Sequence, residues 1–181
     1  MKAQFTEELI LLAFEKGKME ECFRLILSAY KERLYWHIRK IVLSHADADD
    51  ALQTTFIQAW KNLSKFNKES KLSTWLYRIA TNEALQLLRK RKPNVPIDDF
   101  VFNQMETSAS TIEELDGDEI ETKLNEAILQ LPNKQRLVFN MKYFDDLKYT
   151  EISEILETSV GGLKASYHIA VKKIQEYLKE N

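Results

Sequence analysis

Residues Tyr149 to Ile174 read YTEISEILETSVGGLKASYHIAVKKI, two short amphipathic segments parted by a few polar residues. At about 100° per residue, Val160, Leu163, Tyr167, Val171 and Ile174 share one side of the second segment, and Ile152, Ile155 and Leu156 make a stripe on the first. Helices this short cannot bury their stripes separately, so they must cross. A turn over Glu157 to Ser159, with Ser159 as N-cap, gives them a steep angle. The second helix opens on VGGLKAS, and each glycine costs roughly 1 kcal/mol against alanine inside a helix. Small residues there let another backbone come close, as a major groove demands of a recognition helix that enters by its N-terminal end. A helix-turn-helix follows, with an ordinary α-hairpin as the other reading.

Working outward, the 181 residues suffice for one domain or two small ones. Only three prolines and four glycines interrupt long runs of helix formers, so the fold class is all-α. The chain has no apolar run near the roughly 18 residues of a membrane span. Its start, MKAQFTEELILLAFEKGK, lacks a basic n-region with a cleavage site, so a cytoplasmic protein without membrane insertion is expected. Cys22 is the only cysteine, which rules out an internal disulfide and suits a small buried hydrophobe.

The net charge of -2 hides a segregation. Residues 1–92 hold 17 Lys and Arg against 11 Asp and Glu (+6), residues 93–122 hold 0 against 9 (-9), and residues 123–181 hold 9 against 8 (+1). The middle stretch, with two prolines and only negative charge, cannot bury much apolar surface and reads as a linker. It is either a solvated tether or a segment for the basic channel of a partner. A short helix near Ser110 to Leu115 fits its STIEEL motif.

In the N-terminal 92 residues, apolar spacing predicts helices over Glu7–Lys16, Met19–Ser44, Asp47–Leu63 and Leu72–Arg91. The third puts Leu52, Phe56, Ala59, Trp60 and Leu63 on its core stripe and Asp49, Asp50, Gln53, Gln58 and Lys61 off it. The fourth turns Leu72, Trp75, Leu76, Ile79, Ala80 and Leu87 inward, leaving Thr74, Tyr77, Arg78, Thr81 and Asn82 on other faces. It ends in Arg89, Lys90, Arg91 and Lys92. Four cations complement a helix C-terminus by about 0.3–1 kcal/mol. Beside aromatics and amides they also suit a grip on single-stranded DNA, with rings to stack bases and cations for phosphates. In the last helix, Ala165 and Ile169 could touch thymine methyl groups, with Lys164, Ser166, His168, Lys172 and Lys173 at base edges or phosphates. Solitary exposed isoleucines are nonetheless common.

These pieces together resemble the extracytoplasmic-function group of bacterial sigma factors, in the sigma-70 family. DADDALQTTFIQAWKNLSKF is similar to the family's region 2.2, STWLYRIATNEALQLLRKRK to regions 2.3 and 2.4, and LNEAILQLPNKQRLVFNMKYFDDLKYTEISEILETSVGGLKASYHIAVKKI to region 4. The resemblance implies a polymerase and minus-ten domain over 1–92, the acidic linker over 93–122 and a minus-thirty-five domain over 123–181. By the same resemblance Asp49, Asp50, Gln53 and Phe56 dock on the β′ clamp helices of core RNA polymerase. The loop from Phe66 through Asn67 and Lys68 to Leu72, with Asn82, captures an unpaired base, and Trp75, Tyr77, Arg78, Arg89 and Lys90 complete the minus-ten set. Gly161, Lys164, Ala165, Ser166, His168, Ile169 and Lys172 enter the major groove. Further implied partners are the β flap, promoter DNA as duplex and single strand, and an anti-sigma protein.

The chain departs from the family pattern at Thr54, where Glu is frequent, at Gln86, at Ser166 and Ile169, where Arg is common, and at Glu157, where Gly is common. Fewer cations imply weaker intrinsic DNA affinity. The expected function is promoter selection for a polymerase, with no bond made or broken by this chain and no cofactor. An autonomous helix-turn-helix regulator is the alternative, and a decoy that joins polymerase without initiating is another. An enzyme is not expected, since His37, His45 and His168 are scattered and no H-x-x-x-H, C-x-x-C or phosphate loop occurs.

Overall fold

The computed structural model describes residues 2–91 and 119–180, with side chains over 7–90 and 121–180. Eight helices and no strand occur among the described residues. In chain order they are α1 (Lys2–Glu15), α2 (Met19–Val42), α3 (His45–Leu63), α4 (Leu72–Arg91), α5 (Glu119–Leu129), α6 (Asn133–Tyr143), α7 (Tyr149–Leu156) and α8 (Val160–Glu180). Bounds fall within a few residues of those expected for the N-terminal half, except that α1 begins earlier. Residues 119–122, counted as linker from their acidity, belong to α5; the expected Ser110–Leu115 helix and the rest of the linker lie outside the described residues.

Local chemistry sets the helix ends. Gly17 adopts φ +69, a conformation glycine enters without a Cβ penalty, and the chain there turns from α1 into α2 with the Lys18 N–H donating to Ala13 O. Ser44 caps α3 by accepting the Asp47 N–H. Glu151 accepts the Lys148 N–H at 2.8 Å and so caps α7. Ser159 accepts the Gly162 N–H at 3.2 Å, the N-cap role expected of it.

Helix α2 is the spine of the N-terminal domain. Ile26, Tyr30, Leu34, Ile38 and Ile41 recur on one buried stripe and meet α1, α3 and α4. Each such aliphatic, fully buried, contributes about 1.5–3 kcal/mol. Cys22 packs in this core, where burial pushes its thiol pKa up, in keeping with a hydrophobe rather than a reactive group. In the C-terminal domain α8 is the common partner of α5, α6 and α7.

The two domains do not stand apart. α4 packs on α7 and α2 on α6, and one continuous apolar cluster runs from Leu34, Leu76 and Ala80 to Val138, Met141, Ile152 and Ile155. A second, smaller cluster joins Ile128, Leu131, Phe139, Ala170 and Ile174 beneath α8.

Candidate nucleic-acid and polymerase interfaces

Three surfaces carry the residues singled out above. On α3, Asp49, Asp50 and Gln53 are exposed along one face. Phe56, which the resemblance groups with them and the apolar spacing places on the core stripe, is buried and meets Phe23 edge-on at 6.3 Å, so it belongs to the core. The face continues instead through Ile57 and Trp60, each nearly half exposed. Trp60 was read as core; it leans on Phe23 at 5.0 Å and shows its other side to solvent. A wheel drawn from Gln53 rather than from Leu52 would have found both, because steps of four and seven reach Ile57 and Trp60.

The second surface is α4 with the loop before it. Phe66 is buried between Phe14 (5.9 Å, edge-on) and Trp75 (5.2 Å), so it anchors the loop rather than lining its rim. Asn67 and Lys68 are exposed. The Asn67 carboxamide oxygen accepts the Glu69 N–H at 3.3 Å, and Lys68, in the left-handed region at φ 62, pairs with Glu15 at 2.6 Å. That bond holds the Glu15 carboxyl below its ordinary pKa. Asn82 and Lys90 are exposed; Trp75, Arg78 and Arg89 are half-buried.

Tyr77, Thr74 and Thr81 depart from the expectation that they face away from the core, for all three are buried. The reason is a second layer. α4 is covered on one side by α2 and α3 and on another by the C-terminal domain, so no single apolar stripe describes it. Tyr77 lies edge-on to His37 at 4.8 Å, and burial, with the Asp145 carboxylate nearby, pushes its phenol pKa up. It is not presented for stacking on a base.

The third surface is the outer face of α8. Lys164, Ala165, His168, Ile169, Lys172 and Lys173 are exposed, and Ser166 is half-exposed. Lys164 lies over the Tyr149 ring at 5.9 Å, and Lys172 is within 3.8 Å of Glu176. A Cβ built on Gly161 meets nothing within 4 Å. The preceding turn is held by Glu157 at φ 52, a side chain where glycine would be unstrained.

Between the second and third surfaces lies a polar junction that the sequence did not betray. The His37 Nδ1–H donates to Asp145 Oδ2 at 2.7 Å, and its Nε2 lies 2.9 Å from Thr81 Oγ1. The Thr81 hydroxyl also lies within 2.7 Å of Tyr77 O, so it joins α4's backbone to the His37 ring. Lys40 Nζ stands 3.7 Å from the other Asp145 oxygen. Burial lowers the Lys40 pKa, with Asp145 partly opposing it. Along the same seam Lys71 pairs with Glu151 at 2.8 Å, and the Arg78 guanidinium donates to Glu154 O from Nε at 3.1 Å and Nη2 at 2.6 Å. Burial of Glu151 raises its carboxyl pKa, yet the bonds from Lys71 and the Lys148 N–H outweigh that and hold it below the ordinary range. Lys71 is raised in turn by Glu151.

Among the described residues no group of three or more His, Cys, Asp and Glu could hold a metal ion, and no helix is long and apolar enough to cross a membrane.

Comparison with known proteins bears on all three surfaces. The family described as Sigma-70 region 2 matches residues 26–93, and that described as Sigma-70, region 4 matches residues 121–174. The ECF RNA polymerase sigma factor SigW of Bacillus subtilis (strain 168) is 32% identical over 170 residues, 89% of this chain and 91% of that one. The ECF RNA polymerase sigma-E factor of Escherichia coli (strain K12) is 27% identical over 175 residues, 91% of this chain and 90% of that one. Among solved structures, the sigma factor RpoE in complex with the anti-sigma factor NepR from Bartonella quintana aligns at a TM-score of 0.70 and 25% identity, covering 87% of this chain and 96% of that one. CnrH in complex with the cytosolic domain of CnrY shares the fold at 18% identity and a TM-score of 0.70, over 97% of this chain and 99% of that one.

Proposed function

This chain belongs to the extracytoplasmic-function sigma factors of the sigma-70 family, and from that premise we propose how its own surfaces divide the work of directing promoter-specific transcription initiation. The face of α3 that begins at Asp49, Asp50 and Gln53 docks on the β′ clamp helices of core RNA polymerase. Ile57 and Trp60 extend it with the apolar, aromatic contact that protein interfaces place at their centres. The outer face of α8 reads the minus-thirty-five duplex, with Gly161 leaving room for the sugar-phosphate wall and Ala165 and Ile169 against the bases.

The minus-ten strand is gripped by the rim Asn67–Lys68, by Asn82, and by the cations Arg78, Arg89 and Lys90. Phe66 and Tyr77 support this surface from beneath, and Trp75 is the half-exposed ring closest in character to a stacking platform. No bond is made or broken by any of these residues; recognition is the whole of the chemistry, and the polymerase supplies catalysis. An anti-sigma protein is a further partner, by analogy with RpoE and NepR.

The observation that carries the reading is the pairing of the bare N-terminus of α8, where a Cβ at 161 meets nothing, with the exposed acid and amide face of α3 in one chain. A net charge of -2 fits a protein whose DNA contacts act from a polymerase, because two weak sites on one body gain effective concentration. The test is in vitro transcription on pooled genomic fragments with purified core enzyme, followed by mapping of start sites. Initiation from a common motif that requires this chain is expected. Absence of association with core enzyme would overturn the reading, and tight sequence-specific binding to DNA without polymerase would favour an autonomous regulator.

A further inference from the structure

No residue of α1 has so far been given to DNA or to polymerase, yet the C-terminal end of that helix meets the loop between α3 and α4 that offers Asn67 and Lys68 to the strand. Two contacts join them. Phe14 lies edge-on to the buried Phe66 at 5.9 Å, and Phe66 passes the contact on to Trp75 of α4 at 5.2 Å. Beside Phe14, the Glu15 carboxylate accepts from Lys68 Nζ at 2.6 Å, and the same ammonium stands 5.7 Å from the Phe14 ring centre. One cation thus sits on two successive residues of a helix 53 positions upstream.

Lys68 is also where the loop turns left-handed, at φ 62, a conformation that a side chain makes costly and that only surrounding contacts preserve. Glycine would enter it freely. A lysine at this point gives the turn something glycine lacks, an ammonium long enough to reach α1. The turn in its course fixes Asn67, whose carboxamide oxygen accepts the Glu69 N–H at 3.3 Å. A backbone N–H can only donate, so the oxygen is the atom spent on the loop, and the amide N–H groups remain for an acceptor on a base.

We propose that the end of α1 is a positioning element for base capture: Glu15, with Phe14 beside it, holds Lys68 and so sets the shape in which Asn67 meets the unpaired minus-ten base. The inference rests on reading this loop as part of the strand grip, and it gives the Lys68 ammonium to the shape of the loop rather than to a phosphate. Both partners are partly open to water, at 41% for Lys68 and 58% for Glu15, so the pair adjusts the loop without deciding the stability of the domain. Phe66 anchors the loop, and the ion pair aims it.

The test uses holoenzyme assembled from the full chain and core polymerase, on a promoter found by start-site mapping and carried through all four bases at each minus-ten position. Glu15→Lys, which sets two ammonium groups against each other, should reduce the preference between bases about threefold or more at one minus-ten position. Its melting temperature and its minus-thirty-five preferences should match the parent's. In nuclear magnetic resonance of the chain alone, the strong Overhauser effect between Hα and N–H that marks a left-handed residue should be present at position 68 in the parent and weakened in Glu15→Lys. Glu15→Lys combined with Lys68→Glu should restore both readings, which a damaged fold cannot imitate. A double variant weaker than either single one would place Lys68 on a phosphate and overturn the proposal. If parent and Glu15→Lys both initiate and choose bases alike, the role of α1 falls and the sigma-factor reading stands; if no chain initiates with core enzyme, the sigma-factor reading itself falls, and base selection by α1 with it.

Discussion

Gly161 and Gly162 stand side by side at the start of α8 for different reasons. A side chain at 162 would crowd Ser159 Oγ at 3.2 Å, so that glycine serves the cap. One at 161 would project into open space, so that glycine serves whatever arrives from outside. Gly161→Ala should therefore raise the stability of the C-terminal domain by about 1 kcal/mol while lowering initiation that depends on the minus-thirty-five element. Thermal melting and run-off transcription would check the two halves, and a parallel rise or fall would contradict the division. Ile169→Ala should leave the melting temperature nearly unchanged and weaken discrimination at one thymine position, read from a base-substitution series. At this scale the sequence was most informative where residues are small or solvent-facing. The Ser159 cap and the exposed face of α8 could be read directly, since both depend on a few neighbours along one helix. His37 could not. Its partner Asp145 lies 108 positions away, and no local pattern announces a contact between an isolated histidine and a loop aspartate.

Single elements show where periodicity succeeds and where it misleads. α2 follows its stripe because Ile26, Tyr30, Leu34, Ile38 and Ile41 meet α1, α3 and α4 in one core, while His37 turns to the C-terminal domain as a polar group. α4 does not, because two layers cover it, and the threonines at 74 and 81 look like surface residues in any wheel yet lie inside. Thr74→Val follows as a test: removing a buried hydroxyl without a partner among the described residues should stabilise the fold by about 1 kcal/mol, visible as a raised melting temperature, and an unchanged or lowered one would contradict it. On α3 the wheel placed Phe56 correctly in the core and erred at Trp60, which it also turned inward although nearly half of it is exposed. The corrected face predicts that Trp60→Ala reduces affinity for core polymerase about tenfold or more, while Asp49→Ala acts more on the association rate. Titration of labelled protein with core enzyme measures both. Equal affinity for Trp60→Ala and the parent would remove that ring from the docking surface.

For the molecule as a whole, the two-domain division was legible from charge and proline placement, and the packing of one domain on the other was not, because polar junction residues resemble any solvated surface. That junction should respond to pH. Glu151 faces Lys71, the residue just before α4, and the Lys148 N–H from its own turn, with Lys148, Glu7 and Glu154 as the other charges near the pair. The pairing depresses the Glu151 pKa, so its contribution is complete above the unpaired value and fades as pH falls through the depressed one. Lys71 is raised, so its contribution is complete below its unpaired value and fades as pH climbs through the raised one. The packing of the two domains should thus weaken toward about pH 4, with Glu151→Gln flattening that acid limb in thermal melting followed against pH. The two oxygens of Glu151 carry a further consequence. One is spent within α7, on the Lys148 N–H, and the other across the seam, on Lys71. Separation therefore leaves the N-terminal end of α7 tied off as before, and only water must replace the guanidinium at its other end. The change is a swing of intact bodies rather than a melting. Amide hydrogens inside α7 should exchange with deuterium at nearly the same slow rate when Asp145→Ala removes the carboxylate that His37 and Lys40 hold at the junction, even as the two halves drift apart.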